Sequence, residues 1–284
     1  MPDTDEHIIE AIGRSRIVIR NGEVVEVGEA IITDCPLAKR FACPVPEIST
    51  EAVRENIEHR MKAFGMCTPD REVLDTREFV GFGASELLSF GMKAGMIDAA
   101  VLACDGAGTV VVTTPAMVQG VGGRMSGLVR TSPYPSVMDR IEDGGGIVLD
   151  REGATIDQAA GVRLAEARGY RNVAVTVARP ETAAEIRRAH PDALIVAVHV
   201  TGLTHAEAGV IAAADLVTAC ASGTVREVVG SRALVQAGVS VPVFAMTGRG
   251  KNLIIEKIRQ SDEPVLVKPT RLPAPGDRQP EPLV

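Results

Sequence analysis

Apolar and polar residues alternate most regularly in the second half of the chain, where short apolar runs are separated by amphipathic stretches. The apolar runs lie at residues 172–178, 193–200, 214–220 and 241–247, and the helical patterns at 156–168, 180–189, after Thr204 and at 250–259. Continuous β-branched strands that alternate with helices are typical of a buried parallel sheet. We therefore predict an α/β fold whose C-terminal half, residues 155–260, is a Rossmann-like parallel layer with helices on both faces.

The first half is less regular and predicts a mixed α+β domain over residues 1–154. The predicted elements are a short helix at 5–13, a hairpin of 16–20 and 23–27 around Asn21-Gly22, helices at 50–64, 84–94 and 114–120, and extended segments at 97–104 and 109–113. Asn-Gly favours the positive φ angles of a tight hairpin turn. The tail, 261–284, is rich in proline and charge, and disorder is expected there.

Two predicted helices in the C-terminal half begin with a capping-box pattern. Thr204 is followed by Glu207, and Thr224 by Glu227. In such a box the two side chains satisfy backbone N–H groups that the first helical turn leaves unpaired.

Composition narrows the functional class. The 284 residues carry a net charge of −7, and aromatic residues make up 3% with no tryptophan, which argues against nucleic-acid binding. No apolar run is long enough to span a bilayer. Five widely spaced cysteines without a CxxC pair do not resemble a secreted disulfide framework. A cytoplasmic protein with reduced thiols is expected.

Four cysteines occupy positions typical of reactive groups. Cys104 and Cys220 end apolar runs, Cys35 precedes a proline, and Cys67 follows a helix stop. Thiolates hold iron–sulfur clusters, and three or four of them would form a metal site. The alternatives are a nucleophilic cysteine with a lowered pKa and a buried cysteine that is simply a small apolar residue. Cys43 is expected to lie apart in an exposed loop.

Among the segments that contain these cysteines, the one that begins at Cys104 gives the most specific functional signal. Asp105 follows the cysteine, and Gly106 and Gly108 would permit close approach of a cofactor to the backbone. Asp105 could carry a proton during catalysis, or could cap a turn. The glycines could equally form nothing more than that turn.

Ligands of parallel sheets bind beyond the carboxyl ends of the strands. His199, Cys220 and the segment with Arg249 and Lys251 follow three predicted strands, so we expect them to converge. Arg249, Lys251 and nearby helix starts would hold a phosphate, carboxylate or sulfonate, unless both cations are merely solvated. His199 is the histidine favoured as a general acid or base, although a structural histidine is the alternative.

Several collinear motifs together resemble the methanogenesis marker protein 8 family. They are DEHIIEAIG, RIVIRNGEVVEVGE, CPL, GMCTPDR, CDGAGTVVVT, VQGVGGRMSGLV and LVTACAS, and they span about residues 5–260. The resemblance maps the family's cysteine motifs onto Cys35, Cys67, Cys104 and Cys220. It implies a role near the coenzymes of methane metabolism, of which coenzyme M is a thiol with a sulfonate. The alanine- and arginine-rich composition and the proline-rich tail suggest a bacterial relative.

These observations lead to three hypotheses. The first is an enzyme or enzyme component with a cysteine-ligated iron–sulfur cluster that performs sulfur chemistry on a small anion. The second is a metal-free enzyme in which Cys104 or Cys220 forms a persulfide or thioester while Asp105 or His199 moves protons. The third is a non-catalytic protein that binds a coenzyme or a protein partner, with homo-oligomers also possible.

Overall fold

The computed structural model describes residues 5–124 and 127–284 and shows a mixed α/β fold with two sheets. The strands are β1 (His7–Glu10), β2 (Arg16–Arg20), β3 (Glu23–Val27), β4 (Ala99–Cys104), β5 (Gly108–Val112), β6 (Gly127–Arg130), β7 (Ile147–Val148), β8 (Val173–Val177), β9 (Leu194–Ala197), β10 (Leu216–Thr218), β11 (Val235–Ala237) and β12 (Val243–Ala245). The helices are α1 (Thr50–Phe64), α2 (Ala84–Lys93), α3 (Pro115–Met117), α4 (Pro135–Asp143), α5 (Gln158–Ala167), α6 (Pro180–Ala189), α7 (His205–Ile211), α8 (Gly223–Val228) and α9 (Gly248–Arg259).

The smaller sheet is antiparallel, in the order β3-β2-β1-β6. Its β2–β3 hairpin turns at Asn21 and Gly22, which have φ angles of 49° and 73°, as the sequence predicted. The predicted helix at 5–13 is wrong. His7 and Ile9 alternate with more exposed neighbours and point to the buried face of β1, which is paired on both sides by distant strands that a local pattern does not reveal.

Helix α1 packs on this small sheet and has the predicted bounds. Ser49 caps it by accepting a hydrogen bond from the Ala52 N–H, and Gly65 ends it with a φ of 74°. Its buried Val53 and Ile57 join the isoleucines of the sheet in one apolar core.

The larger sheet has the order β11-β12-β10-β9-β8-β4-β5-β7. Its four central strands, β10, β9, β8 and β4, are parallel, and the strands at both ends are antiparallel. Alternate strand residues enter two separate apolar clusters: Ala100 and Leu102 pack with α2, α4 and α9, whereas Ala99 and Val101 pack with α5 to α8. Because β4, β5 and β7 precede residue 155, the sheet extends across the predicted domain boundary.

The strand predicted at 241–247 corresponds to β12, which runs antiparallel to β10 and not parallel as expected. The physical reason is the short strand β11, which forms a hairpin with β12 and reverses the chain once more after α8. This reversal moves the start of α9 to the edge opposite the carboxyl ends of β9 and β10.

The predicted capping box at Thr204 and Glu207 is confirmed at the start of α7. The second predicted box, Thr224 with Glu227, is wrong. Ser222 caps α8 instead, because its hydroxyl accepts from the Val225 N–H.

The tail was expected to be disordered throughout 261–284. The structure leaves Leu266 90% exposed, but the final residues are held by backbone hydrogen bonds to two separate loops. Glu281 pairs with Asp34, and Val284 bonds to Ala221, which corrects the expectation for the end of the tail. Within residues 5–124 and 127–284, no helix has the length and apolar character needed to cross a membrane.

Candidate functional site

His199 and Cys220 lie at the same edge of the large sheet, as predicted. They follow the adjacent parallel strands β9 and β10, whose register pairs Val217 with Ala197. The two strands end in step, because the Thr218 hydroxyl donates to the Ala197 carbonyl at 3.0 Å. His199 has a φ of 54°, so the chain turns sharply there, and both His199 and Cys220 keep exposed surface.

The small sheet covers this edge. Gly127, at the start of β6, approaches so closely that a Cβ on it would lie 3.2 Å from the Cβ of Glu10 and 3.4 Å from the Cγ of His199. The Arg14 guanidinium is 3.4 Å from the Glu10 carboxylate and lies directly against Gly202, leaving no room for a side chain there. The small sheet therefore packs over this edge beside His199, and we call the edge that carries His199 and Cys220 the junction.

The surroundings of His199 and Cys220 disfavour their charged forms, although both residues keep exposed surface. Desolvation lowers the pKa of His199; the Glu10 carboxylate opposes this change and Arg60 adds to it. The imidazole is therefore neutral near pH 7. Desolvation also raises the pKa of Cys220 to about 11, with a further contribution from Cys35. The thiol is protonated at rest and needs a base to react.

Cys35 and Cys220, here called the outer pair, come from opposite ends of the chain and lie within electrostatic reach of each other. Cys35 is half-buried and Cys220 is exposed. The Arg226 guanidinium fixes the Cys220 segment by donating to the carbonyls of Cys220 at 2.9 Å and Ser240 at 2.7 Å.

Cys67 and Cys104, the inner pair, are fully buried. Burial raises the pKa of Cys104 to about 12, and the Asp105 charge adds to the effect. The pKa of Cys67 is raised for the same two reasons. The four cysteines predicted as one cluster thus occupy two different environments. In the part of the chain that the structure describes, no group of three or more His, Cys, Asp or Glu residues is arranged to hold a metal ion. Cys43 is exposed, as expected.

Asp105 is half of a buried ion pair. Its carboxylate lies 2.9 Å from the Arg71 Nε and also accepts a hydrogen bond from the Cys67 N–H at 2.5 Å, and neither Asp105 nor Arg71 is exposed. Burial alone would raise the pKa of Asp105, but Arg71 and the Cys67 N–H outweigh burial and lower it. Asp105 is therefore a charged structural group with no path to solvent, which corrects its predicted role as a proton carrier.

Gly106 and Gly108 support the structural interpretation of the turn. Both have positive φ, and a Cβ would lie 2.8 Å from the Tyr134 ring at Gly106 and 2.2 Å from the Ala154 carbonyl oxygen at Gly108. Protein atoms already occupy the space that a cofactor would need, so these glycines serve close packing of the chain.

Arg249 and Lys251 lie at the opposite edge of the sheet because β12 is reversed, and the predicted convergence is wrong for them. Arg249 donates to the carbonyls of Pro191 and Asp192, which precede β9. Thr247 caps α9 and donates to Asp215, the residue before β10, while Lys251 is exposed.

Among the described residues, the cations near the junction include Arg14 and Arg60, which the sequence interpretation missed, and Arg226 at the Cys220 carbonyl. Arg60, on α1, donates to the Arg124 carbonyl and lies with its guanidinium 5.7 Å from the centre of the Phe64 ring. Burial and the nearby Arg71 lower the pKa of Arg60 to about 10, so it stays charged near pH 7. The spacing of Arg60 and Phe64 on one helix face was readable, but the position of that face beside β9 was not.

The fold and the junction define a mixed α/β protein with an accessible thiol and an imidazole at the carboxyl edge of a partly parallel sheet. The chain belongs to the family described as "Uncharacterized protein conserved in archaea (DUF2099)", whose model matches residues 7–259. It is 40% identical over 283 residues to "Uncharacterized protein MJ0054" of Methanocaldococcus jannaschii, covering 99% of this chain and 100% of that protein. This relative includes the tail region, so the tail is not an addition to the archaeal form. No solved structure matches the chain.

Proposed function

We propose that this protein is an enzyme of sulfur chemistry that acts on a small anionic substrate at the junction, with Cys220 as the reacting sulfur. The observation that carries the proposal is the placement of two accessible groups, Cys220 and His199, at the ends of adjacent parallel strands. Arg60 acts electrostatically on His199, Arg14 lies against Gly202, and Arg226 lies beside Cys220. A sulfonate, phosphate or carboxylate on the substrate would be held by these cations.

The chemistry follows from the protonation states. Neutral His199 accepts the Cys220 proton through a water molecule, because its lowered pKa leaves the ring free to act as a base. The thiolate attacks the outer sulfur of a persulfide donor, RSSH. The donor's S–S bond breaks, a new S–S bond forms at Cys220, and the donor leaves as RS⁻ and takes the proton from His199.

The proposed substrate class rests on the positive charges at the junction and on the resemblance. Coenzyme M, a small thiol that carries a sulfonate, would place its sulfur at Cys220 and its anionic end near the arginines. This finer proposal assumes that the chain is a bacterial relative of the methanogenesis marker protein 8 family and that the large sheet binds ligands at its carboxyl edge in the Rossmann-like manner.

An iron–sulfur cluster is the second candidate. It is supported by the outer pair, in which two cysteines from distant segments meet at an accessible site. The enclosed inner pair does not fit the same ligand set, so a cluster would require other ligands, such as a substrate thiol.

The test uses anaerobically purified protein incubated with glutathione persulfide and then analysed by mass spectrometry. We expect a gain of one sulfur atom on Cys220 that is lost in Cys220→Ser and retained in the matched control Cys43→Ser. Iron and sulfide analysis of the same preparation distinguishes the second candidate. A preparation that gains no sulfur and holds no iron would contradict both, and would favour a binding or assembly protein.

A further inference from the structure

The final residues of the chain connect the two segments that carry the outer pair. The Glu281 N–H donates to the Asp34 carbonyl at 2.9 Å, and its carbonyl accepts from the N–H groups of Thr33 at 2.8 Å and Asp34 at 3.0 Å. Three residues later, the Val284 N–H donates to Ala221 at 2.8 Å and its oxygen accepts from Gly223 at 3.0 Å.

These hydrogen bonds reach the immediate neighbours of both cysteines. Asp34 precedes Cys35, and Ala221 follows Cys220. Because a fully extended chain rises at most ~3.6 Å per residue, Glu281 and Val284 can be no more than about 11 Å apart. The segment 281–284 therefore limits how far the two cysteine-bearing loops can separate.

We propose that residues 281–284 form a clamp that positions Cys35 beside Cys220, an inference that rests on the proposed function of the outer pair. The clamp is a positioning element and not a catalytic one, since its described hydrogen bonds are made by its own backbone to the loops that carry the two cysteines. By joining the two loops, the clamp keeps the second thiol near the sulfur carried by Cys220.

The clamp meets the loop that carries Cys35 beside a cavity. This cavity of about 510 Å³ lies between tail residues 277–281 and the loop 34–40, with Leu37, Arg40 and Arg278 among its lining residues. The described hydrogen bonds from the tail to this loop are those of Glu281. Before the cavity the tail is anchored elsewhere, because Ala274 and the Gln236 side chain exchange two hydrogen bonds of 2.8 Å.

The test compares Glu281→Pro, which removes the N–H that bonds Asp34, with Glu281→Ala, which keeps it. Proteins are treated with a bifunctional maleimide, and the Cys35–Cys220 link is quantified by peptide mass spectrometry. We expect the yield of the link to fall severalfold in Glu281→Pro and to stay at the wild-type level in Glu281→Ala. Alkylation of Cys35 should accelerate in the proline variant, with Cys43 as the internal reference.

Equal yields and equal alkylation rates in both variants would overturn the clamp. If Glu281→Pro does not fold, Leu283→Asp serves as the second variant, because Leu283 lies beside Gly223 at the other end of the clamp. The yield of the Cys35–Cys220 link is then compared between Leu283→Asp and the wild type, and equal yields would overturn the clamp. A wild type that cross-links but accepts no sulfur from glutathione persulfide would refute the proposed function and leave the clamp intact. If the wild type accepts sulfur on Cys220 but the cross-linking yield does not change in Glu281→Pro, the clamp is refuted and the proposed function stands.

Discussion

The inner and outer cysteine pairs carry the same chemical group in opposite surroundings. Cys67 and Cys104 are sealed around the Arg71–Asp105 ion pair, whereas Cys35 and Cys220 meet solvent at the junction of the two sheets. Burial dominates the raised pKa in the inner pair, and the same desolvation acts on Cys220 without closing it off. The difference teaches that access and a nearby base, more than the presence of a thiol, separate a structural cysteine from a reactive one.

The largest expected effect comes from opening the inner pair. Arg71→Ala leaves the Asp105 carboxylate buried without its partner, and we expect the free energy of unfolding to fall by about 3–5 kcal/mol in urea titrations. The matched control is Arg77→Ala, since Arg77 is 65% exposed and its partner Asp75 keeps a second ion pair with Arg124 at 2.7 Å; it should cost less than ~1 kcal/mol. Similar losses in the two variants would show that the buried ion pair does not organise this region.

The second-largest effect is expected from removal of the proposed general base, His199. His199→Gln should slow sulfur transfer to Cys220 by about 100-fold near pH 7, a typical contribution of general base catalysis. The defect should shrink as the pH approaches about 11, where the pKa of Cys220 lets the thiol ionise without help. His205→Gln, which alters a histidine 68% exposed on its side chain, is the control. A defect that does not change with pH would argue against proton transfer.

The inner pair also predicts a pH dependence of stability. The folded-state pKa of Cys104 is about 12, above the ordinary thiol value near 8.5. The stability that this protonated thiol contributes to the fold is therefore fully present below that ordinary value and is lost as the pH rises towards 12. Cys104→Ala should therefore make the loss of stability between these values shallower, by about 1.4 kcal/mol per pH unit. If the free energy of unfolding, measured by denaturant titration, falls with pH equally steeply in the wild type and in Cys104→Ala, the Cys104 thiol ionises as easily in the folded state as in the unfolded state.

The smallest effect concerns the charge beside the outer pair. Burial contributes most to the raised pKa of Cys220, and the Glu10 carboxylate adds to it. Glu10→Gln should lower that pKa and speed iodoacetamide labelling of Cys220 by roughly two- to threefold near pH 8. Glu23→Gln changes an exposed glutamate of the same sheet and should leave the rate alone. Slower labelling in Glu10→Gln would reverse the sign of this interaction.

The sequence predicted correctly those turns and helix ends that short local motifs mark. Asn21-Gly22 marked the hairpin, Gly65 the end of α1, and Thr204 with Glu207 the start of α7. The wrong predictions concern strands whose existence or direction depends on pairing with residues far away in the sequence. Strand β1 is defined by β2 and β6, and the direction of β12 depends on the three-residue strand β11, which is too short to leave a pattern.

The candidate site divides in the same way. His199 and Cys220 could be predicted, because parallel strands present their carboxyl ends at one edge. Arg14, Arg60 and the partnership of Arg71 with Asp105 could not, because each depends on how one sheet or helix packs on another. The charge complement of Asp105 lies 34 residues away, with no local pattern joining the two.

The most direct test of the contrast between the pairs is timed alkylation of the native protein, followed by peptide mass spectrometry. We predict that Cys43, Cys35 and Cys220 are modified while the protein stays folded, and that Cys67 and Cys104 react only when denaturant opens the structure. Modification of Cys67 or Cys104 in the folded protein at the rate of Cys220 would contradict the account.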